Sequence, residues 1–157
     1  MAVIEHPPTE QALEEMMGST CFGCGIHNEH GHQIRTYWDG EKSTCTWMPR
    51  PEFNGGGDYV YGGTIAGLMD CHQCLTAVLA LYADQGRTVN DDNGPAMHAV
   101  TANLNVDYLA PTPIDQPLEL EARIVSVEGK KVRTEGQIVV DGKVTVKSTG
   151  LFIRVER

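Results

Sequence analysis

Tyr61-Gly62-Gly63-Thr64-Ile65-Ala66-Gly67-Leu68-Met69-Asp70 opens a run of apolar and small residues that continues to Ala83, and Asp70 is the only charged residue between Asp58 and Asp84. The run predicts one long helix from about Gly63 to Asp84. It is long enough to suggest a membrane span, but Asp70, His72 and Gln73 interrupt its middle, so a buried helix in a soluble core is the better reading. A carboxylate set among apolar neighbours loses hydration and needs specific partners or a proton. Asp70 is therefore the first candidate for chemistry, the alternative being a buried Asp that merely bonds a neighbour.

The turn into the helix is the second candidate. Two glycines permit a tight path and close ligand approach, and first-turn amides have no acceptor inside the helix. The Gly63 N–H can hold a carbonyl oxygen or oxyanion; equally, the glycines can simply turn the chain. Asp70 follows Gly63 by two turns, about 10 Å along the axis and on a similar face, so a substrate carbonyl fits between them. A carboxylate there can act as a general base toward water or attack an acyl carbon directly.

Outward from the helix, the pattern is strand-like. Ile34 to Trp38 and Lys42 to Met48 flank the turn signal Asp39-Gly40. Before them, Pro8-Thr9 through Met17 predicts a short N-terminal helix with Thr9 as cap and Gly18 as stop, its apolar side thin. After the helix, Val100 to Tyr108 alternates apolar and polar residues, and Leu118 to Ile124 does the same until the phase blurs at Val125-Ser126-Val127. Val132 to Val140 and Val144 to Val155 follow, separated by Asp141-Gly142. Hairpin-linked strands and one long apolar helix give an α+β architecture, with an antiparallel sheet curled around the helix, and exclude a doubly wound parallel sheet.

At 157 residues, 41% hydrophobic and 21% charged, the chain fits a single domain over 1–157 with residues 1–20 as an N-terminal helical extension. The net charge of −9 argues against a nucleic-acid or anionic-membrane binder. Residues 1–110 hold four Lys and Arg against fourteen Asp and Glu, and Lys130-Lys131-Val132-Arg133 is the only basic cluster. The first eight residues lack a basic and an apolar region typical of export, so a cytoplasmic location is expected, with the five cysteines reduced.

The segment Tyr61 to Asp70 resembles the His-Gly-Gly…Asp signature of hotdog-fold acyl-CoA thioesterases of the PaaI-like group. Cys21-Phe22-Gly23-Cys24-Gly25 and Val106-Asp107-Tyr108-Leu109-Ala110-Pro111 agree with it, and the resemblance extends from about residue 21 to the end. It implies a hotdog fold and hydrolysis of an acyl-CoA thioester without a cofactor. It also implies a homodimer with sites at the subunit interface, a dimer of dimers being left open. By that pattern Asp70 is base or nucleophile, and the Gly63 amide polarises the carbonyl. Asn54 orients water or substrate, and Thr101, contributed by the other subunit, holds the attacking water. Tyr61 stands where the signature has His. This departure leaves a non-catalytic acyl-CoA or small-acid binding protein as the alternative, and disfavours hydratase chemistry, which needs that imidazole.

Tyr61 and Gly62 are expected to contact substrate, and Lys130, Lys131 and Arg133 to meet coenzyme A phosphates, a solvated hairpin being the plainer account of the basic cluster. Cys21 and Cys24, with His27, His30 and His32 following, invite a test for metal. The remaining spacing is not that of a zinc finger, and no metal is assigned. Cys71 and Cys74 read as small apolar filler, His72 as a satisfied core histidine, and His98 as a possible neighbour of the site.

Overall fold

The structure, a computed structural model, describes residues 3–156. Its elements in chain order are α1 (Leu13–Met17), β1 (Tyr37–Trp38), β2 (Ser43–Trp47), a 3-10 turn (Pro51–Phe53), α2 (Gly62–Asp84), β3 (His98–Tyr108), β4 (Leu118–Glu128), β5 (Lys131–Val140) and β6 (Lys143–Val155). The six strands form one antiparallel sheet in the order β1-β2-β4-β5-β6-β3. The expected α+β architecture, with a sheet around one long helix, is thus the one observed.

Alternation decides which face of each strand meets α2. Leu118, Leu120, Ala122 and Ile124 of β4, Val132 and Ile138 of β5, and Val146 and Phe152 of β6 are all buried on the helix side. On α2 itself Leu68, Met69, Ala77, Leu79 and Ala80 are fully buried, and 72% of the helix's most apolar stretch lies inside the protein. A helix apolar nearly all round is stable only when covered in this way. The phase blur at Val125 is a bulge between Ile124 and Ser126, and Asp141-Gly142 closes the β5–β6 hairpin with both residues at positive φ, 48° and 75°.

Two expectations about the N-terminal part are corrected. The helix is five residues long, and Ala12 rather than Thr9 occupies its N-cap position without a side-chain cap bond. Thr9 Oγ1 instead accepts from the Trp38 amide at 2.9 Å. Nor is the apolar side thin, since Ala12 and Leu13 are completely buried. The same segment explains why the first strand is only two residues long. The Leu13 amide donates to the Thr36 carbonyl and the Thr36 amide donates to the Glu14 carboxyl, so backbone groups expected to extend the strand are already engaged.

β3 departs from its expected phase. Thr101 pairs with Phe152 and Asn103 with Leu151, leaving Ala102 as an extra residue. Simple alternation puts Thr101 on the polar face with Asn103, Asn105 and Asp107. The bulge instead turns it to the helix side with Leu104 and Val106, whose partners Gly150 and Ser148 lie on the inner face of β6.

Candidate functional site

α2 begins at the glycine pair because Tyr61 remains extended at φ −57° and ψ 132°. Its carbonyl accepts from the Ile65 amide at 3.1 Å, so the amides of residues 62–64 precede the first intrahelical bond. Gly63 is exposed, and the Tyr61 ring lies against it so closely that a Cβ there would sit 2.5 Å from a ring carbon. Tyr108 closes the other side. Its hydroxyl donates to the Gly62 carbonyl at 2.7 Å, and burial raises its pKa, which keeps the phenol protonated. Nothing local to Tyr108 in the sequence signals this contact, because its reach to Gly62 depends on the close pass of the end of β3 by the start of α2.

Two turns along α2, the half-buried Asp70 accepts a 2.6 Å hydrogen bond from Thr101 Oγ1. Both residues line a cavity of about 1040 Å³ that also takes in Cys71, Cys74 and His98. The bulge at Ala102 is what aims Thr101 at the carboxylate. This pairing corrects one expectation: Thr101 reaches Asp70 within a single chain, not from a partner subunit.

Other expected residues lie elsewhere. The Asn54 side chain serves its own loop, its oxygen accepting from the Gly56 amide at 2.5 Å and its nitrogen donating to the Gly57 carbonyl at 2.7 Å. Val132 points inward from β5, so Lys131 and Arg133 on either side of it lie on the opposite face of the sheet from Asp70. Lys130 sits at the β4–β5 turn, 3.5 Å from Glu156. Within one chain the basic cluster is therefore not part of the Asp70 site.

Cys74 behaves as filler, its thiol donating to the Ala99 carbonyl at 3.7 Å, and burial pushes its pKa up to about 12. Cys71 does not. Its sulfur meets those of Cys21 and Cys24, the three lying within 4.8 Å of one another. The hydrogen bond from Cys71 holds the Cys24 thiol down at about 7, while the Cys71 thiol is itself pushed up.

The sequence profile of the thioesterase superfamily matches residues 57–147, from the loop before α2 into β6. The chain belongs to the thioesterase superfamily. A thioesterase superfamily protein from Shewanella loihica PV-4 is 32% identical, with a TM-score of 0.62 over 82% of this chain and 96% of that one. The acyl-coenzyme A thioesterase THEM4 of Xenopus laevis is 29% identical over 116 residues, which is 73% of this chain and 46% of that protein. The chain thus spans about half the length of this curated relative. The PaaI protein of the Escherichia coli phenylacetic acid degradation operon shares the hotdog fold, with a TM-score of 0.63 at 16% identity over 80% of this chain and 81% of that one. The matched stretch in this superfamily member holds both ends of the site, Tyr61 to Gly63 and the Asp70–Thr101 pair.

Proposed function

We propose that the chain hydrolyses acyl-CoA thioesters to the free acid and coenzyme A, as a PaaI-like enzyme of the superfamily. The observation that carries this reading is the 2.6 Å bond from Thr101 to Asp70 at the cavity wall. A carboxylate fixed through one oxygen presents the other in a defined direction, which suits proton removal from water or direct attack on an acyl carbon. The carbonyl oxygen gains negative charge as the tetrahedral centre forms, and this reading assigns the Gly63 amide as the donor that receives it. Collapse expels the coenzyme A sulfur, which leaves as the thiol once protonated. Water supplies OH to the acid and H to the thiol, so no cofactor is required. Tyr61 and Gly62 border the position of the carbonyl, whereas Asn54 contributes by shaping the loop ahead of them.

The active unit in this reading is a homodimer. β3 is one of the two edge strands of the sheet, eleven residues long, with Val100 and Tyr108 exposed at 49% and 52% and Leu109, just past its end, at 56%. An edge of that length invites pairing with a second copy. Sedimentation equilibrium is expected to return twice the chain mass of 17.2 kDa, and a monomer at micromolar concentration would refute the dimer.

Tyr61 favours a second reading, in which the site binds acyl-CoA without turnover, because its ring covers part of Gly63. Thiol release from short, long and aryl acyl-CoAs separates the two. Hydrolysis by the wild-type chain and a loss of roughly 10²- to 10⁴-fold in kcat for Asp70→Asn are expected, the usual contribution of a positioned base. Calorimetric binding with no thiol release would establish the second reading, and an undiminished rate in both Asp70→Asn and Asp70→Ala would remove Asp70 from the mechanism.

A further inference from the structure

Three sulfurs converge where the loop before β1 crosses α2. Cys21 and Cys24 come from the loop, Cys71 from the helix, and their Sγ atoms lie within 4.8 Å of one another. The Cys21 and Cys71 sulfurs are 3.7 Å apart. Tetrahedral zinc with bonds of about 2.3 Å places its sulfur ligands about 3.8 Å from each other, whereas a disulfide requires about 2.05 Å. The separation is that of co-ligands.

The backbone is shaped to allow this approach. A Cβ on Gly23, between the two loop cysteines, would lie 2.3 Å from the Cys71 sulfur, so only glycine lets the loop sit on that atom. The loop is held in place by bonds from the Gly25 amide to the Cys21 carbonyl at 2.8 Å and from the His32 amide to the Phe22 carbonyl at 2.8 Å. The cluster forms part of the wall of the large cavity, which Glu14, Asp70 and Asp91 also line. The Asp70 carboxylate adds negative potential, which favours a cation.

We propose that Cys21, Cys24 and Cys71 bind a thiophilic divalent metal ion of the zinc class, with the fourth coordination position facing the cavity. Soft thiolate ligands select such ions over magnesium or calcium. Three S–H bonds break, three metal–sulfur bonds form, the protons pass to solvent, and no electron is transferred. The ion ties the loop to α2 next to Asp70, and this role is independent of the thioester reading. Sequence spacing points to the loop histidines as further ligands; the third ligand comes instead from a helix cysteine fifty positions from Cys21.

Cobalt provides a direct test. Reduced, chelator-treated full-length chain is titrated with Co²⁺ alone, then with Zn²⁺ as competitor. A sulfur-to-cobalt charge-transfer band saturating at one ion per chain, bleached by Zn²⁺, is expected, together with a higher melting temperature in Zn²⁺. Cys71→Ser abolishes the band, while Cys45→Ser and Cys74→Ser retain it. The wild-type titration needs no variant to fold. Absence of the band in fully reduced wild type overturns the proposal. So does a band that persists in Cys71→Ser, or formation of a Cys21–Cys71 disulfide in preference to metal uptake.

Discussion

Thr101 shows how one extra residue fixes a site. With regular alternation its hydroxyl points away from α2; the bulge at Ala102 turns it inward to Asp70. A hydrogen bond to a charged acceptor contributes about 1.5–3 kcal/mol, so losing it from the reacting state costs about ten- to a hundredfold in rate. Thr101→Val, which keeps the shape but not the donor, is expected to lower kcat by that factor with little change in KM. Thr101→Ser is expected to stay within a few fold of wild type. Equal rates in wild type and Thr101→Val, measured by thiol release, would show that the bond does not orient the base. A comparable substitution at Asn54 is expected to act through the loop, because its amide is bonded only to Gly56 and Gly57.

The helix and the sheet are joined by polar as well as apolar contacts, and Gln73 is central to that join. It is fully buried, donates to Ser148 Oγ on β6 at 2.7 Å and accepts from Thr134 Oγ1 on β5 at 2.8 Å. Gln73→Ala leaves two buried hydroxyls without partners and opens a cavity, and is expected to destabilise by about 2–5 kcal/mol in urea denaturation. A loss below 1 kcal/mol would mean that water replaces the amide. Gln73 was legible in the sequence only as a break in an apolar run, because its partners lie 61 and 75 positions away. The same distinction runs through the fold. Alternation along β4, the blur at Val125 and the turn Asp141-Gly142 are local signals, so each was readable. The short first strand depended on Leu13 and Glu14 engaging Thr36, and the inward turn of Thr101 on a bulge that leaves no compositional trace. Asp70 and Gly63 are legible as candidates because they share one helix; the contacts of Tyr108 and Cys71 are not, because tertiary folding brings their partners to them.

Across the whole molecule, two buried ionisable groups with opposed titrations tie the N-terminal segment to the core. Glu14 is 2% exposed, and burial raises its pKa from 4.5 to about 7 despite the 2.7 Å bond from the Thr36 amide. His72 is fully buried on α2, and burial lowers its pKa from 6.5 to about 4. Thr36 touches both, its hydroxyl lying 3.0 Å from His72 Nδ1. Between pH 4.5 and 7 the folded state holds the Glu14 proton that the unfolded state has released, so this carboxyl makes stability fall as pH rises. Between pH 4 and 6.5 the unfolded state binds a proton that folded His72 refuses, so the imidazole makes stability rise with pH. The two displacements are each on the order of 3 kcal/mol, and they oppose one another over their shared window from about 4.5 to 6.5. Glu14→Gln keeps an acceptor for the Thr36 amide and removes one of the opposing slopes. Its stability relative to wild type is therefore expected to increase steadily from pH 4.5 to 7, by about 3 kcal/mol, in urea titrations at fixed ionic strength. His72→Gln is expected to shift the opposite way, losing stability relative to wild type as pH rises from 4 to 6.5. A surface carboxylate such as Asp39, which touches neither group, titrates alike in all three proteins and drops out of the differences. A Glu14→Gln difference that stays level across this range would mean that Glu14 is not held protonated by burial, and that the contact between the N-terminal segment and α2 is looser than its packing indicates.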